Sequence, residues 1–314
     1  MIRHFLLTIL LAGCLATLLP AQQLPNMALF RDNWNVLNPG SMSSDYIFGD
    51  RTMSLFTSYR DQWSGFEGAP WTGLLNWEYV IDNYNVTTGG YFIHDQTGEI
   101  GFSGLYGRFA YRLDLDRRGD HWINVGINAG VVQYRAKIAN IEFADEELFM
   151  GDDQVYYPDF GMGVMYYNQD KYYLGFAIPQ TFGLSPRFRS DDGELTLDRV
   201  QHFYLMGGTY FDVYLFNSDA SFLEASGFVR YVPNTPLSVD AHLRCQFTDV
   251  FWAGLGGSTA KTMRADVGVV IGESVNFTAG QIKLAFSYGI GLGQFASALG
   301  NSLEFHAAYS WYTY

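Results

Sequence analysis

The residues whose types and spacing could support catalysis lie in the stretch "SVDAHLRCQF". Asp240, His242 and Arg244 follow one another at every second position, and Glu304 and His306 repeat the pairing of an acid with a histidine. Successive side chains of a β-strand point to opposite faces, so residues at every second position share one face. A histidine beside a carboxylate could act as a general base, which makes both groups candidates for acid–base chemistry.

Two features of the sequence argue against a catalytic site. Residues two apart on one strand share a face without being held at hydrogen-bonding distance, and the sequence contains no Gly-x-Ser-x-Gly nucleophile motif. The alternate positions of the same stretch are apolar, with Val239, Leu243 and Phe247 among them. One apolar and one polar face fit a soluble β-sandwich and a membrane β-barrel equally well, so the rest of the chain must decide.

The composition of the chain favours β-structure and excludes several classes of protein. The chain has 314 residues, of which 48% are hydrophobic and 17% aromatic, and this excludes a disordered protein. Charged residues make up only 16%, well below the roughly 25% of typical soluble domains. The net charge of −13 argues against a nucleic-acid partner.

The N-terminus predicts a secretory signal peptide over residues 1–21. A basic residue precedes an apolar run that ends with the small residue Ala21 before the polar Gln22. Such a segment directs export and is removed from the mature chain. The stretch "LAGC" also resembles a lipoprotein box that would lipidate Cys14, but the apolar run continues beyond it, which favours cleavage after Ala21. Cys245 is then the only cysteine left, so no disulfide is expected within the chain.

The mature chain consists of short alternating segments rather than long apolar ones. No stretch beyond the signal is apolar for the ~18 residues that a membrane helix needs, so a membrane role would require a barrel. Alternating segments of about ten residues between turns are typical of barrel strands. We find fourteen, at 51–60, 70–80, 86–95, 101–114, 121–135, 158–168, 171–180, 201–213, 221–232, 237–247, 250–260, 264–272, 277–288 and 302–313.

The lengths of the connections favour a barrel over a sandwich. When the connections are numbered along the chain, all three long ones fall at odd positions, namely 136–157, 181–200 and 289–301. Alternate connections of an up-and-down barrel share one rim, and outer-membrane barrels have short periplasmic turns and long external loops. We therefore predict an all-β transmembrane outer-membrane β-barrel of about 14 antiparallel strands over residues 51–314, preceded by a periplasmic or lumenal segment over 22–50.

In such a barrel the polar face of each strand lines the lumen. Charges in a low-dielectric interior must pair with one another, so a mutually neutralising network is expected instead of a catalytic site. No cofactor or metal is expected either. The residues predicted to form the lumenal network are Arg60, Arg108, Arg112, Glu224, Arg230, Asp240, His242, Arg244, Asp266, Lys283 and Glu304.

Some loop residues are candidates for binding. The acidic stretches "EFADEELFMGDD" and "SDDGELTLD" could offer oxygen ligands to Ca²⁺, but they lack the alternating spacing of a dedicated loop and are interpreted as solvated surface. Aromatic residues among glycines in a loop are unusual unless they fold back into the barrel mouth or contact a partner. The sequence leaves both alternatives open for the candidate partner-binding residues Gln62, Trp63, Gly65, Phe66 and Pro70.

Several motifs resemble the PorP/SprF family of Bacteroidetes outer-membrane proteins. "QQLPNMALFRDNWNVLNPGS" runs to the Asn38-Pro39 pair, and "SYRDQWSGFEGAPWT" carries a Gln-Trp box and a Gly-Ala-Pro-x-Thr sequence, with Asp61 where the family usually has Asn. "GLYGRFAYRLDL" and the paired strands of "DFGMGVMYYNQDKYYLGFAIPQ" continue the likeness. Near the C-terminus, Gly289 replaces the usual Asp. Each motif is weak alone, but their order covers nearly the whole mature chain.

The resemblance implies a role in type IX secretion. It implies a non-enzymatic barrel that supports export or surface anchoring of a secreted protein with a type IX sorting domain, such as an adhesin, or that belongs to the secretion and gliding machinery. The implied partners are that secreted protein, other type IX secretion components and outer-membrane lipid. The alternative function is an outer-membrane channel or transporter of hydrophobic substrates, and a barrel enzyme is a third.

The predicted orientation can be tested by labelling intact cells. Cysteines placed at Asp145 and Asp192, in the long loops, should react with an impermeant thiol reagent, whereas a cysteine at Asn83, in a short turn, should not. The reverse labelling pattern would contradict the orientation.

Overall fold

The structure, a computed structural model, contains a closed antiparallel barrel of fourteen strands. It describes residues 24, 26–65, 67–137, 152–169, 171–182, 184–185, 187–190, 193–196, 199–215, 218, 221–292 and 300–313. Each barrel strand pairs with its neighbours in chain order, and the first strand closes the barrel against the last through the register Met53↔Trp311 to Asp61↔Leu303. The predicted up-and-down barrel is confirmed.

The barrel strands correspond one to one with the fourteen predicted segments. They are β1 (Met53–Asp61), β2 (Trp71–Ile81), β3 (Val86–Thr97), β4 (Ile100–Asp114), β5 (His121–Lys137), β6 (Asp152–Asn168), β7 (Tyr172–Ile178), β10 (Phe203–Asp212), β11 (Phe222–Tyr231), β12 (Ser238–Gln246), β13 (Phe251–Ser258), β14 (Thr262–Ile271), β15 (Gln281–Gly291) and β16 (Ser302–Trp311). A separate two-stranded hairpin, β8 (Arg187–Ser190) and β9 (Gly193–Thr196), lies between β7 and β10.

Two of the predicted long loops contain more regular structure than expected. The loop predicted at 136–157 is shorter, because β5 continues to Lys137 and β6 begins at Asp152, where these two residues pair. The polar composition of this region suggested a loop. In the structure Val155 and Tyr157 point inward, alternate with outward residues and continue the pairing of β6 with β5. The region predicted as a loop at 181–200 contains the hairpin β8–β9. Most of the acidic stretch 142–153 lies outside the described residues.

Alternation of side chains gives the barrel an apolar exterior and a polar interior. On β12, Asp240, His242 and Arg244 are buried while Ala241 and Leu243 are exposed. The same period places large apolar side chains on the outer surface of the other strands, as expected for a lipid-facing wall. Within the described residues, no helix is both long and apolar enough to cross a membrane.

Residues 26–50, called here the plug, occupy the lumen. The plug contains a 3₁₀ turn (Phe30–Asn33) and two short helices (Trp34–Leu37 and Ser44–Gly49), the second capped by the Ser43 hydroxyl, which accepts from the Asp45 N–H at 3.1 Å. Most of its apolar side chains are buried in clusters with inward aromatic residues of the wall, whereas Phe48 is exposed. The plug descends from the rim of the long loops, the mouth, to the rim of the short turns, where β1 begins.

The Asn-Pro-Gly sequence of the plug contacts the wall where the wall strands carry glycine. Asn38 Nδ2 donates to the carbonyl oxygens of Val164 and Phe176, which face each other on β6 and β7, at 3.1 and 3.3 Å. A side chain at Gly126 would collide with the backbone of Pro39 and Gly40, and one at Gly163 would collide with the amide of Asn38. These glycines allow the plug backbone to lie directly against the wall.

We expect that filling this contact displaces the plug. Gly163→Ala should destabilise the seated plug by about 1–3 kcal/mol, because a methyl group cannot fit against Asn38 without moving it. The wild-type barrel should not pass ions in a planar bilayer, whereas the variant should conduct and should lose protease protection of the plug. Gly107→Ala is the matched control, since its Cβ would meet nothing closer than 4.0 Å. A Gly163→Ala barrel that does not conduct ions and whose plug stays protected from protease would contradict the close contact inferred between Gly163 and Asn38.

Candidate functional site in the charged lumen and the mouth

Charged residues of the plug pair with predicted network residues of the wall. Arg31 Nε lies 2.8 Å from Glu224, and Asp32 lies 3.1 Å from Arg244. At the short-turn rim, Asp45 of the plug pairs with Lys283. Each of these wall charges therefore has a plug partner, and the plug is held by ion pairs as well as by packing.

The backbone of the plug also contacts a wall carboxylate. The N–H groups of Ala28 and Leu29 both donate to the Glu304 carboxylate, the second at 3.1 Å, near the mouth end of β16. Glu304 also forms an ion pair of 3.5 Å with Arg60. The Glu304 carboxylate, which is about 1% exposed, is therefore hydrogen-bonded by the plug backbone, while the Arg60 guanidinium lies farther away.

The remaining predicted charges pair mainly across the wall. Arg230 donates to Asp240 at 2.7 Å, and His242 Nε2 lies 2.7 Å from Asp266. Arg108 pairs with Glu78, which the sequence analysis did not include.

Arg112 differs from the other predicted network residues, because it lies at the short-turn rim and is only partly buried. It contacts Asp82 at 3.3 Å and Asp114 at 3.2 Å. Its ion pairs are therefore exposed to solvent, unlike those of the lumen.

The residues first considered for catalysis do not act together. Asp240, His242 and Arg244 are adjacent on one face, but each bonds to a different partner, as described above. His306 does not pair with Glu304; its Nδ1 lies 2.8 Å from the Ser58 hydroxyl beneath the plug. Neither histidine therefore pairs with the acid next to it on its own strand, since His242 contacts Asp266 of β14 and His306 contacts Ser58 of β1.

Aromatic rings complete the contact between the plug and the charged wall. The Arg244 guanidinium lies over the Trp252 ring at 3.6 Å, and that of Arg264 lies over Phe30 of the plug at 5.0 Å. Phe30 also packs against Phe228 at 5.6 Å. Cation–π contacts of this kind help to retain guanidinium groups away from water.

Several charged residues of the lumen were missing from the sequence prediction. Asp32 and Asp45 lie in the plug, where no strand alternation could assign them an inward direction. Glu78 and Arg264 could have been found, because each shares the inward parity of its strand. The buried pair Arg199–Asp159, at 3.0 Å, joins the β7–β10 connection to β6 and has no local sequence signal.

The predicted partner-binding loop lies at the mouth. The Gln62 N–H donates to the Pro70 carbonyl at 2.9 Å, and the Ser64 N–H donates to the carbonyl of Asn301 at 2.9 Å. Trp63 has a left-handed backbone (φ 62°) and its side chain is 36% exposed. Gly65 packs against Gly300, and Phe66 lies outside the described residues. The loop is thus fixed to the β15–β16 connection while Trp63 stays partly open to solvent.

Small cavities lie between the plug and the wall. Trp63, Arg60, Arg264 and Glu304 line a cavity of about 50 Å³ under the mouth. An apolar cavity of about 40 Å³ lies between the plug and the wall beside Gln180. Each of these two spaces could hold one small group.

Solved structures with a similar fold are outer-membrane proteins. The chain resembles the CymD monoaromatic hydrocarbon channel with a TM-score of 0.53 at 9% identity, covering 87% of this chain and 94% of that chain. It resembles the toluene transporter TbuX of Ralstonia pickettii with a TM-score of 0.50 at 11% identity, covering 89% and 93%. A deltaS2 mutant of the TodX monoaromatic hydrocarbon channel gives 0.50 at 8% identity, covering 90% and 94%. At such low identity the likeness shows the fold alone.

The sequence itself shows the family. None of the curated proteins matches the chain. The family model described as "Type IX secretion system membrane protein PorP/SprF" matches residues 19–309, which include the plug and nearly the whole barrel. With its closed fourteen-stranded barrel, the chain therefore belongs to the PorP/SprF family of type IX secretion system membrane proteins, located in the outer membrane.

Proposed function

We propose that this barrel holds an exported protein at its mouth during or after type IX secretion, with the long loops facing outside the cell. The observation that carries the proposal is the position of Trp63, a partly exposed aromatic side chain on a fixed loop above a filled lumen. Aromatic side chains at the centre of an interface often supply most of its binding energy. The expected partner is a folded domain seated on the mouth, such as the sorting domain of an adhesin.

The way in which the loop is held supports this role. Its backbone bonds to Pro70 and Asn301 fix the loop before any partner binds, so little conformational entropy is lost on association. The sequence left open whether Trp63 folds back into the mouth or contacts a partner. In the structure Trp63 lines the cavity under the mouth and is 36% exposed, so a partner at the mouth could reach its side chain.

A filled lumen favours this function over transport by diffusion. The solved structures named above include channels and a transporter, but the plug occupies the space that a substrate would cross. Because the two cavities described above measure only about 50 and 40 Å³, we expect that a hydrophobic substrate would have to displace the plug. The conductance of the wild-type barrel, measured beside the Gly163→Ala variant, distinguishes the two functions.

We expect Trp63→Ala to release the partner from the cell surface. If Trp63 anchors the partner, its loss should weaken retention by ~2 kcal/mol or more. The measurement is the fraction of the partner on the cells relative to the medium, with barrel folding checked by heat-modifiable gel mobility. Trp71→Ala is a matched control, because Trp71 is also 36% exposed but lies on the outer wall beside Tyr59 and His94. Full retention by Trp63→Ala cells with a folded barrel would place the binding surface elsewhere.

We further propose that the protein is not an enzyme. Replacing His242 or His306 with Gln should leave partner retention near the wild-type level, because each histidine lies beneath or beside the plug and serves its packing. The expected cost is a loss of stability of about 1–3 kcal/mol from a buried group left without its partner. Thermal unfolding and partner retention are measured together. A large loss of function in a variant with normal stability would revive the catalytic interpretation.

A further inference from the structure

The cavity under Trp63 is lined by Arg60 and Arg264, whose Nε atoms have no hydrogen-bond partner in the part of the chain that the structure describes. We propose that this cavity binds a carboxylate group between Arg60 and Arg264, and that the group belongs to the exported partner. The inference rests on the proposed function and specifies the chemistry by which the mouth recognises its partner.

The two guanidinium groups are buried and only loosely paired. Arg60 lies 3.5 Å from Glu304, and Arg264 lies 3.8 Å from Asp240 and 3.6 Å from Asp266. These separations are longer than a normal charge-assisted hydrogen bond of about 2.7–2.9 Å. The side chains are only 10% and 8% exposed, and the Nε atom of each has no hydrogen-bond partner within the described residues.

The nearby acids already have closer donors. Glu304 accepts from the plug backbone, Asp240 accepts from Arg230 at 2.7 Å, and Asp266 lies 2.7 Å from His242. Among the described residues, the buried atoms here that lack a partner are three donors, the Nε atoms of Arg60 and Arg264 and the Ser287 hydroxyl, and one acceptor, Asp266 Oδ1, so donors are in excess. Ser287 is 1% exposed and lines the same cavity. Buried donors without acceptors are costly, and a carboxylate would satisfy several at once.

The size and position of the cavity indicate how the carboxylate is delivered. A volume of about 50 Å³ admits one small group, since a water molecule occupies roughly 30 Å³ in the liquid. The cavity is bounded at the mouth by Trp63 and by the ends of β15 and β16. The rest of the bound molecule must therefore remain above the mouth, where the partner is proposed to sit. An acidic side chain or the C-terminal carboxylate of the partner meets this requirement.

The first test measures binding of the carboxylate itself. Purified wild-type barrel in detergent should bind acetate, detected by saturation transfer to its methyl signal in NMR, and should not bind the neutral isostere acetamide. Arg60→Gln and Arg264→Gln should each weaken acetate binding by about tenfold or more, because one charge-assisted donor is lost. Arg112→Gln, at the opposite rim, is the matched control and should bind normally. Equal binding of acetate by all variants, or none by the wild type, overturns the site.

The second test asks whether the carboxylate comes from the partner. In cells, Arg264→Gln should release the partner into the medium by a similar factor while Arg112→Gln retains it. If acetate binding is lost but the partner is retained by Arg264→Gln and released by Trp63→Ala, the site holds a free anion, and the inference is overturned while the proposed function stands. If Trp63→Ala also retains the partner, both the inference and the proposed function fail.

Discussion

The fold depends on the contact between the plug and the barrel wall at Asn38, Pro39 and Gly40. Only glycine on the wall strands lets the plug backbone approach the sheet so closely, as the collisions expected at Gly126 and Gly163 show. Asn38 then bonds to carbonyl oxygens of two adjacent strands. Because the plug is fixed at this point, the residues before it reach the mouth and those after it reach the short-turn rim. Every plug–wall ion pair depends on this path.

Charge pairing inside the barrel follows from the same path. Lumenal charges are separated from lipid by the wall and from bulk water by the plug, so each needs a partner at close range. The plug supplies Arg31, Asp32 and Asp45 as partners for the wall residues Glu224, Arg244 and Lys283. Charge in the lumen thus helps to position the plug.

The mouth is the part of the molecule where this pairing is incomplete. The plug backbone donates to Glu304, Arg230 donates to Asp240, and His242 contacts one oxygen of Asp266. Arg60 and Arg264 keep ion-pair contacts of 3.5 Å or longer under Trp63. An aromatic anchor above unsatisfied positive donors is a suitable surface for an acidic, exported partner. The plug inside the described barrel and the aromatic side chain at its mouth are the two features on which the proposed anchoring function rests.

The sequence by itself determined the number of strands, the direction of their side chains and the sorting of long loops to one rim, because alternation and turn composition are local properties. The same local reasoning misjudged 152–157, where polar residues continue a strand whose pairing with β5 is set by the tertiary structure. It also identified Trp63 as a candidate without assigning its environment. Only the tertiary structure decided that Asp240 bonds to Arg230 and that Asp32 pairs with Arg244. It also decided that the Nε atoms of Arg60 and Arg264 have no hydrogen-bond partner among the described residues. These pairings join residues distant in sequence, and they depend on barrel closure and on the path of the plug, neither of which has a periodic signal along the chain.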